Sequence, residues 1–276
     1  MNHQQNVNSE PASAFVLSAF GDEIDDDLEV QLRILQDLEI GHLELRKAWG
    51  TGVLKLDNSQ LAKVKNACDR YSSQVSCIGS PIGKSLIQDP LDRVLKDLER
   101  AFEAAEIVGT NRVRIFSFYP PKNDNSREHE HHIEQAVDRL STLAILAEKR
   151  TMLLLMENEG GLVGDTPKRC QSILAGVDSP NLRFVWDTGN FPHSGVANAT
   201  ELGWPLLKPH LAHVQIKDAL LADQTITVAG QGDGQVRELL KRLRNTGYRG
   251  FLALEPHLKQ AWTKGGYSGP DGMKAA

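Results

Sequence analysis

Cysteine is scarce in this 276-residue chain: Cys68, Cys77 and Cys170 are odd in number and form no close pair, which indicates neither a disulfide framework nor a thiolate zinc knuckle. A reducing compartment, the cytoplasm, is the natural setting. Long hydrophobic runs are missing as well. No stretch approaches the roughly 18 uninterrupted apolar residues of a membrane-spanning helix, and the polar start from Met1 to Pro11 lacks the basic-then-apolar layout of a secretory signal. A basic excess is also absent: the formal net charge is -5, so a nucleic-acid coat is not expected. The rest of the composition, 40% hydrophobic and 24% charged with 23 glycines, is that of an ordinary globular protein.

Short β-branched or aliphatic runs alternate with longer segments of helical period. Eight strands are expected: Phe15 to Phe20, His42 to Leu45, Val75 to Ile78, Arg112 to Phe116, Met152 to Met156, Arg183 to Trp186, His213 to Ile216 and Phe251 to Leu254. Their starts lie about 27 to 40 residues apart, room for one strand, one helix and two short loops. Between them, Leu28, Leu32 and Leu35, then Leu91, Leu95, Leu98 and Phe102, and later Leu239, Leu240 and Leu243 recur at helical spacing. Thr166-Pro167 reads as a helix cap followed by a first-turn proline, and Gly41 and Gly247 follow helical segments. Strict alternation forces parallel strands, and eight units suggest a closed (β/α)8 barrel. The competing open, doubly wound sheet lacks support, because Phe20-Gly21-Asp22-Glu23 after the first strand carries no dinucleotide-type glycine fingerprint. Residues 1–12 are expected as a disordered tail and 13–276 as one barrel domain. Only about 20 residues follow Glu255, so the eighth helix should be short or missing.

In a parallel barrel the strand C-terminal ends converge on one face, where the chemistry belongs. Those ends carry Asp22 and Glu23, Glu44 and Arg46, Ser80 to Lys84, Ser117 and Tyr119, then Glu157-Asn158-Glu159, Asp187-Thr188-Gly189-Asn190, Gln215 with Lys217-Asp218, and Glu255-Pro256-His257. Three carboxylates and one amide from four consecutive strands would leave a costly negative excess unless a cation neutralised it. Oxygen donors without thiolates favour a hard divalent ion, Mn2+ or Mg2+, over Zn2+ or Co2+. The alternative is that each carboxylate caps a helix or pairs with an arginine or lysine.

Met156-Glu157-Asn158, Trp186-Asp187-Thr188-Gly189-Asn190, His213-Val214-Gln215-Ile216-Lys217-Asp218, Gly230-Gln231-Gly232-Asp233-Gly234 and Leu254-Glu255-Pro256-His257 follow one another in strand order. Together they resemble the xylose isomerase-like TIM barrels of the sugar phosphate isomerase/epimerase family, in the AP endonuclease 2 superfamily. The resemblance spans nearly the whole chain. It implies a divalent metal held by Glu157, Asp187, Gln215 and Glu255, with Glu157 and Glu255 as the catalytic pair. That pair would move a proton between carbons beside a carbonyl of a small carbohydrate, sugar phosphate or keto-acid, through an enediolate. Gln215 stands where most relatives have histidine, a departure that hydroxypyruvate isomerases of the family share. Val163 and Leu221 replace the glutamate and arginine of ketose 3-epimerases, which disfavours a free-ketohexose epimerase. Family members are often homo-oligomers.

The substrate-contacting set is Glu44, Lys84, Asn190, His213 and Lys217; for the lysines an ion pair is the plainer alternative, as is a Glu44 to Arg46 pair. Three other functions compete: a metal-dependent dehydratase acting on a keto-sugar or keto-inositol, a hydrolase of the endonuclease IV type, and a non-catalytic sugar-binding barrel. The hydrolase needs a histidine-rich zinc cluster that the ends of strands 3 and 4 do not offer. His129-Glu130-His131-His132 has the look of a metal cluster, but a polar loop running into the next helix explains it more simply. Gly230 to Gly234 could cradle a phosphate or cover the substrate, or need glycine only for its backbone angles.

Overall fold

Eight short strands pair side by side, all parallel: β1 (Val16–Phe20), β2 (His42–Leu45), β3 (Gln74–Ile78), β4 (Arg112–Ile115), β5 (Leu153–Glu157), β6 (Leu182–Asp187), β7 (Leu211–Ile216) and β8 (Phe251–Leu254). Each neighbours the next in chain order and β8 pairs with β1, so the sheet closes into a barrel. The structure is a computed structural model and describes residues 15–122, 129–258 and 268–276; the tail expected over 1–12 lies outside the described residues. The expected strands fall within two residues of those observed at each end.

Eight main helices flank the sheet: α1 (Leu28–Asp37), α2 (Asn58–Arg70), α3 (Leu91–Val108), α4 (Ile133–Lys149), α5 (Pro167–Val177), α6 (Ala199–Leu207), α7 (Val236–Asn245) and α8 (Gly269–Ala275). Their starts obey local chemistry. Asp27 accepts from the Glu29 and Val30 amides, Asp57 and Gln60 form a capping box, and Thr166 caps α5 ahead of Pro167. Each such cap is worth about 1 kcal/mol. The leucine stripes face inward, with Leu28, Leu32, Leu35, Leu98, Phe102, Leu239 and Leu243 all buried. α8 is seven residues long, in line with the short eighth helix expected.

Alternation along the strands splits their side chains into two sets. Leu154, Met156, Phe184, Trp186, Val214 and Ile216 join the large cluster beneath the helices, whereas Leu155 and Val185 form a separate small cluster with Cys77. Leu155 and Val185 share strand faces with Glu157 and Asp187, so this cluster seals the barrel interior one rung below those carboxylates. Two extra residues are accommodated as bulges: the β2–β3 register skips Ser76, and the β6–β7 register skips Ala212. Beyond the expected elements, two short hairpins rise from the C-terminal ends of β2 and β7: Lys47–Ala48 with Thr51–Gly52, and Asp218–Ala219 with Ile226–Thr227. Among the described residues no helix is long and apolar enough to cross a membrane.

The loop from β3 to α3 folds over the end of β4, where Gly83 adopts φ +89° and a Cβ on it would lie 2.1 Å from the Phe116 carbonyl oxygen. Neither the backbone angle nor the space admits a side chain. Gly83→Ala should therefore lose at least about 2 kcal/mol of stability, read as a lowered urea midpoint at unchanged m-value.

Candidate functional site

Glu157 ends β5, Asp187 ends β6, and Glu255 directly follows β8. Their carboxylate oxygens come within 4.8 Å of one another, and all three residues are buried. Local hydrogen bonds aim them. One oxygen of Asp187 accepts from the Gly189 and Asn190 amides at 2.9 and 2.7 Å, at the start of a short helical turn over Asn190–His193. The Asn190 side chain donates to Glu157 Oε1 at 3.0 Å, and Asn158 brackets the Asp187 backbone from the other side. Asp187 Oδ2 and Glu157 Oε2 are left buried without an aligned donor.

Three cations balance this charge. Arg46, just past β2, spreads its guanidinium over Asp22 and Glu23, both at 2.7 Å, and over Glu255. Arg114 on β4 approaches Glu157 Oε2 at 3.0 Å, and the Lys217 ammonium lies 3.0 Å from Asp187 Oδ2 and 3.2 Å from Glu255 Oε2. Arg114 to Glu157 and Lys217 to Asp187 are within ion-pair reach but not aligned as hydrogen bonds, so those two oxygens keep unused acceptor capacity. The protonation tendencies of the two glutamates diverge. Burial pushes the Glu157 carboxyl up to about 8, with Arg114 opposing and Glu255 and Asp187 adding to the rise. Burial would also raise Glu255, but Lys217, His257, Arg46 and Arg114 together reverse it and hold this carboxyl well below the usual range. Asp187 is raised by burial, which Lys217 offsets only in part.

Of the expected site residues, Glu157, Asp187 and Glu255 gather as a cluster, with Asn190 and Lys217 against them. Gln215 is fully buried on β7, opposite Asp187 in register, and its Oε1 has no hydrogen-bond partner among the described residues. Lys84 reaches the same cavity but pairs with Glu159 at 2.7 Å and lies over the Phe116 ring. Glu44 and His213 lie deeper. They bond each other at 2.8 Å, Glu44 also accepts from Gln215 at 3.0 Å, and neither lines the cavity. Arg46 thus pairs with acids of β1 and β8 rather than with Glu44. The cluster of His129 to His132 is a polar turn into α4, with His129 Nδ1 at 3.1 Å from the Leu162 carbonyl and Glu130 paired to Arg169.

Of the readings open for the glycine-rich loop, the structure favours a structural one. The amides of Gly230, Gly232 and Gly234 all donate to the Asp218 carboxylate at 2.8 to 3.0 Å, and a Cβ at Gly232 would lie 2.4 Å from it. The loop cradles the chain's own aspartate and is not a phosphate cradle. Arg114 was the least legible participant, whereas Arg46 was placed at the mouth by its strand end and only its partners were not. The one available signal for Arg114 was a charge alternating with Val113 and Ile115 on a barrel strand.

The cluster opens into a cavity of about 560 Å³ whose walls include Arg46, Arg114, Glu157, Asn190, Lys217 and Glu255. The donor chemistry of the three carboxylates fits a hard divalent ion, and Glu157 Oε2, Asp187 Oδ2 and, in register with Asp187 on β7, Gln215 Oε1 have no hydrogen-bond partner among the described residues. No thiolate comes with them; one imidazole is adjacent, His257, which lies 3.7 Å from Glu255 and 2.8 Å from Glu23 and forms with those two a second group able to hold an ion, while the hydroxyls of Ser80 and Ser117 at the ends of β3 and β4 are both engaged with backbone.

Fold and site together define a class: a closed parallel barrel with a compensated carboxylate cluster at its C-terminal mouth. Residues 32–274 match the xylose isomerase-like TIM barrel, and the chain belongs to that family. No curated protein matches it. Among solved structures it is similar to a probable 3-DHS dehydratase involved in petrobactin synthesis from Bacillus anthracis, at 18% identity over 94% of this chain and 97% of that one, with a TM-score of 0.71. It is also similar to a 3-keto-D-glucoside 4-epimerase from E. coli, at 16% identity over 95% and 97% with a TM-score of 0.68. A third, a xylose isomerase-like TIM barrel protein from Mycobacterium smegmatis in complex with magnesium, is 18% identical over 87% and 89%, with a TM-score of 0.64.

The raised Glu157 carboxyl has a measurable consequence. The folded state holds its proton more tightly than the unfolded chain does, so from about pH 4.5 to about pH 8 this group removes stability as pH rises. Glu157→Gln is neutral throughout. In chelated protein its melting temperature relative to the parent should climb by several degrees between about pH 5 and pH 8, whereas a gap independent of pH would place the Glu157 carboxyl at its ordinary value.

Proposed function

We propose that this protein is a divalent-metal-dependent isomerase or epimerase of a small carbohydrate or keto-acid, acting by proton transfer beside a carbonyl through an enediolate. The observation that carries this reading is the group of three buried carboxylates at the cavity floor, in which Glu157 and Glu255 stand close enough to act on one substrate and Glu157 Oε2 and Asp187 Oδ2 have no hydrogen-bond partner among the described residues. Glu255, held ionised by Lys217 and Arg46, takes the proton from carbon. Glu157, steadied by Asn190 and faced by Arg114, returns a proton to the opposite face of the same carbon in an epimerisation, or to the neighbouring carbon in an isomerisation, where the hydroxyl proton passes to the former carbonyl oxygen. Asp187 and Gln215 complete the donor set. A divalent ion held by these four residues would supply Lewis-acid polarisation of the carbonyl. Lys217 sits between Asp187 and Glu255 and can stabilise negative charge on a substrate oxygen.

The rim of the cavity points to an acidic substrate, a sugar phosphate or keto-acid. Lys47, Lys55 and Arg93 line it, and none is within ion-pair distance of a described carboxylate, with Asp97 the rim's acid. A chain of net charge -5 thus presents a locally cationic entrance.

The same base and acid could remove water instead, and the similarity to a probable dehydratase keeps that second reading alongside the first. Both are tested by incubating Mn2+-loaded protein in deuterated water with a panel of keto-sugars, their phosphates and keto-acids. Deuterium entering an isomerised product supports the first reading, an unsaturated product the second, and neither with any member would overturn both. Glu157→Gln and Glu255→Gln should each lower turnover by about three orders of magnitude with the fold intact; near-normal rates in either would sink its assignment. Replacing Lys47, Lys55 and Arg93 together by glutamine should cut the preference for an acidic substrate over its neutral counterpart by about 10-fold or more, through KM rather than kcat.

A further inference from the structure

Residue 215 is gripped from one side. Glu44 and Gln215 are both fully buried, Gln215 Nε2 donates to Glu44 Oε1 at 3.0 Å, and His213 Nε2 meets Glu44 Oε2 at 2.8 Å. A carboxylate only accepts hydrogen bonds. The amino end of Gln215 must therefore face Glu44, because turning the amide over would set its carbonyl oxygen against an anion. The same logic puts the His213 proton on Nε2 and uses the second oxygen of Glu44. Gln215 Oε1 is then the free end of the side chain, buried and without a described partner. Gln215 is in register with Asp187 across β6 and β7, so the two side chains leave the sheet on the same side.

We propose that Glu44 is a positioning residue that locks the Gln215 amide with its oxygen presented to the carboxylate cluster, making the fourth metal donor a neutral oxygen. This rests on the metal-dependent reading above. An orphaned buried carbonyl costs free energy, and a hard cation is the partner that would satisfy it. Glu44 thereby keeps the donor set all-oxygen, which favours Mg2+ or Mn2+ over Zn2+. Histidine at 215 could also donate one N–H to Glu44 while offering its other nitrogen, so the same buried carboxylate would support a softer set.

The test is direct titration of chelator-stripped, full-length protein with MnCl2, reading free Mn2+ by electron paramagnetic resonance, in the parent, Glu44→Gln, Gln215→Ala and the double variant. With a neutral amide at 44, Gln215 can turn either way, and Kd should rise about 10- to 100-fold. In the Gln215→Ala background the same change should cost less than about threefold, since no amide is left to hold. An equal loss in both backgrounds, or no loss in Glu44→Gln, overturns the positioning role while leaving the metal-dependent function standing. Failure of the parent itself to bind Mn2+ overturns both. Gln215→His leaves Glu44 intact and covers the case in which Glu44→Gln does not fold. It should retain Mn2+ and gain about 10-fold or more in preference for Zn2+ over Mg2+, whereas loss of Mn2+ binding would show that Glu44 does not present residue 215 to the ion.

Discussion

Charge taken out of water at a barrel mouth has to be matched, and Arg46 does much of the matching. One guanidinium spans Asp22 and Glu23 from β1 and Glu255 from β8, so it joins the first strand of the barrel to the last. Glu23 in turn accepts from Ser268 at the start of α8 and from the His257 amide, which fastens the chain's final segment to the same point. Removing one member would strand buried charges on its neighbours, so closure of the barrel and composition of the site are one electrostatic problem. Lys217 and Arg114 extend the same balance to Asp187 and Glu157, and the uneven result raises the proton affinity of Glu157 and lowers that of Glu255.

The barrel was legible because its signals are local. Strand runs, leucine stripes and caps such as Thr166-Pro167 depend on residues a few positions apart, and they hold to within two residues in every strand. The two hairpins after β2 and β7 were not legible, since strands of two residues are too short to show a period. Nor were the bulges at Ser76 and Ala212. The Ala212 bulge sets the register that pairs His213 with Val185 and Gln215 with Asp187, and a bulge answers to the neighbouring strand rather than to its own sequence.

A parallel barrel gathers its strand ends, so residue type and position put Glu157, Asp187 and Glu255 among the strand-end acids, and the resemblance to the family singled them out from Asp22, Glu23, Glu44, Glu159 and Asp218. Their partners were not readable in the same way. The Gly230 to Gly234 loop looked like an anion cradle and is one, yet the anion is Asp218. Glu44 and Arg46 are two residues apart and looked like a pair, but Arg46 reaches acids of two other strands while Glu44 turns to β7.

The eight strand and helix units, the family and the polar residues brought to one mouth follow from period, order and local capping, and so were readable along the chain. Which acid faces which cation, and which oxygens lack a partner among the described residues, came only with the folded barrel. Each of those depends on side chains that are distant along the chain and meet only when the barrel closes, where burial turns small differences in partner geometry into large differences in charge state.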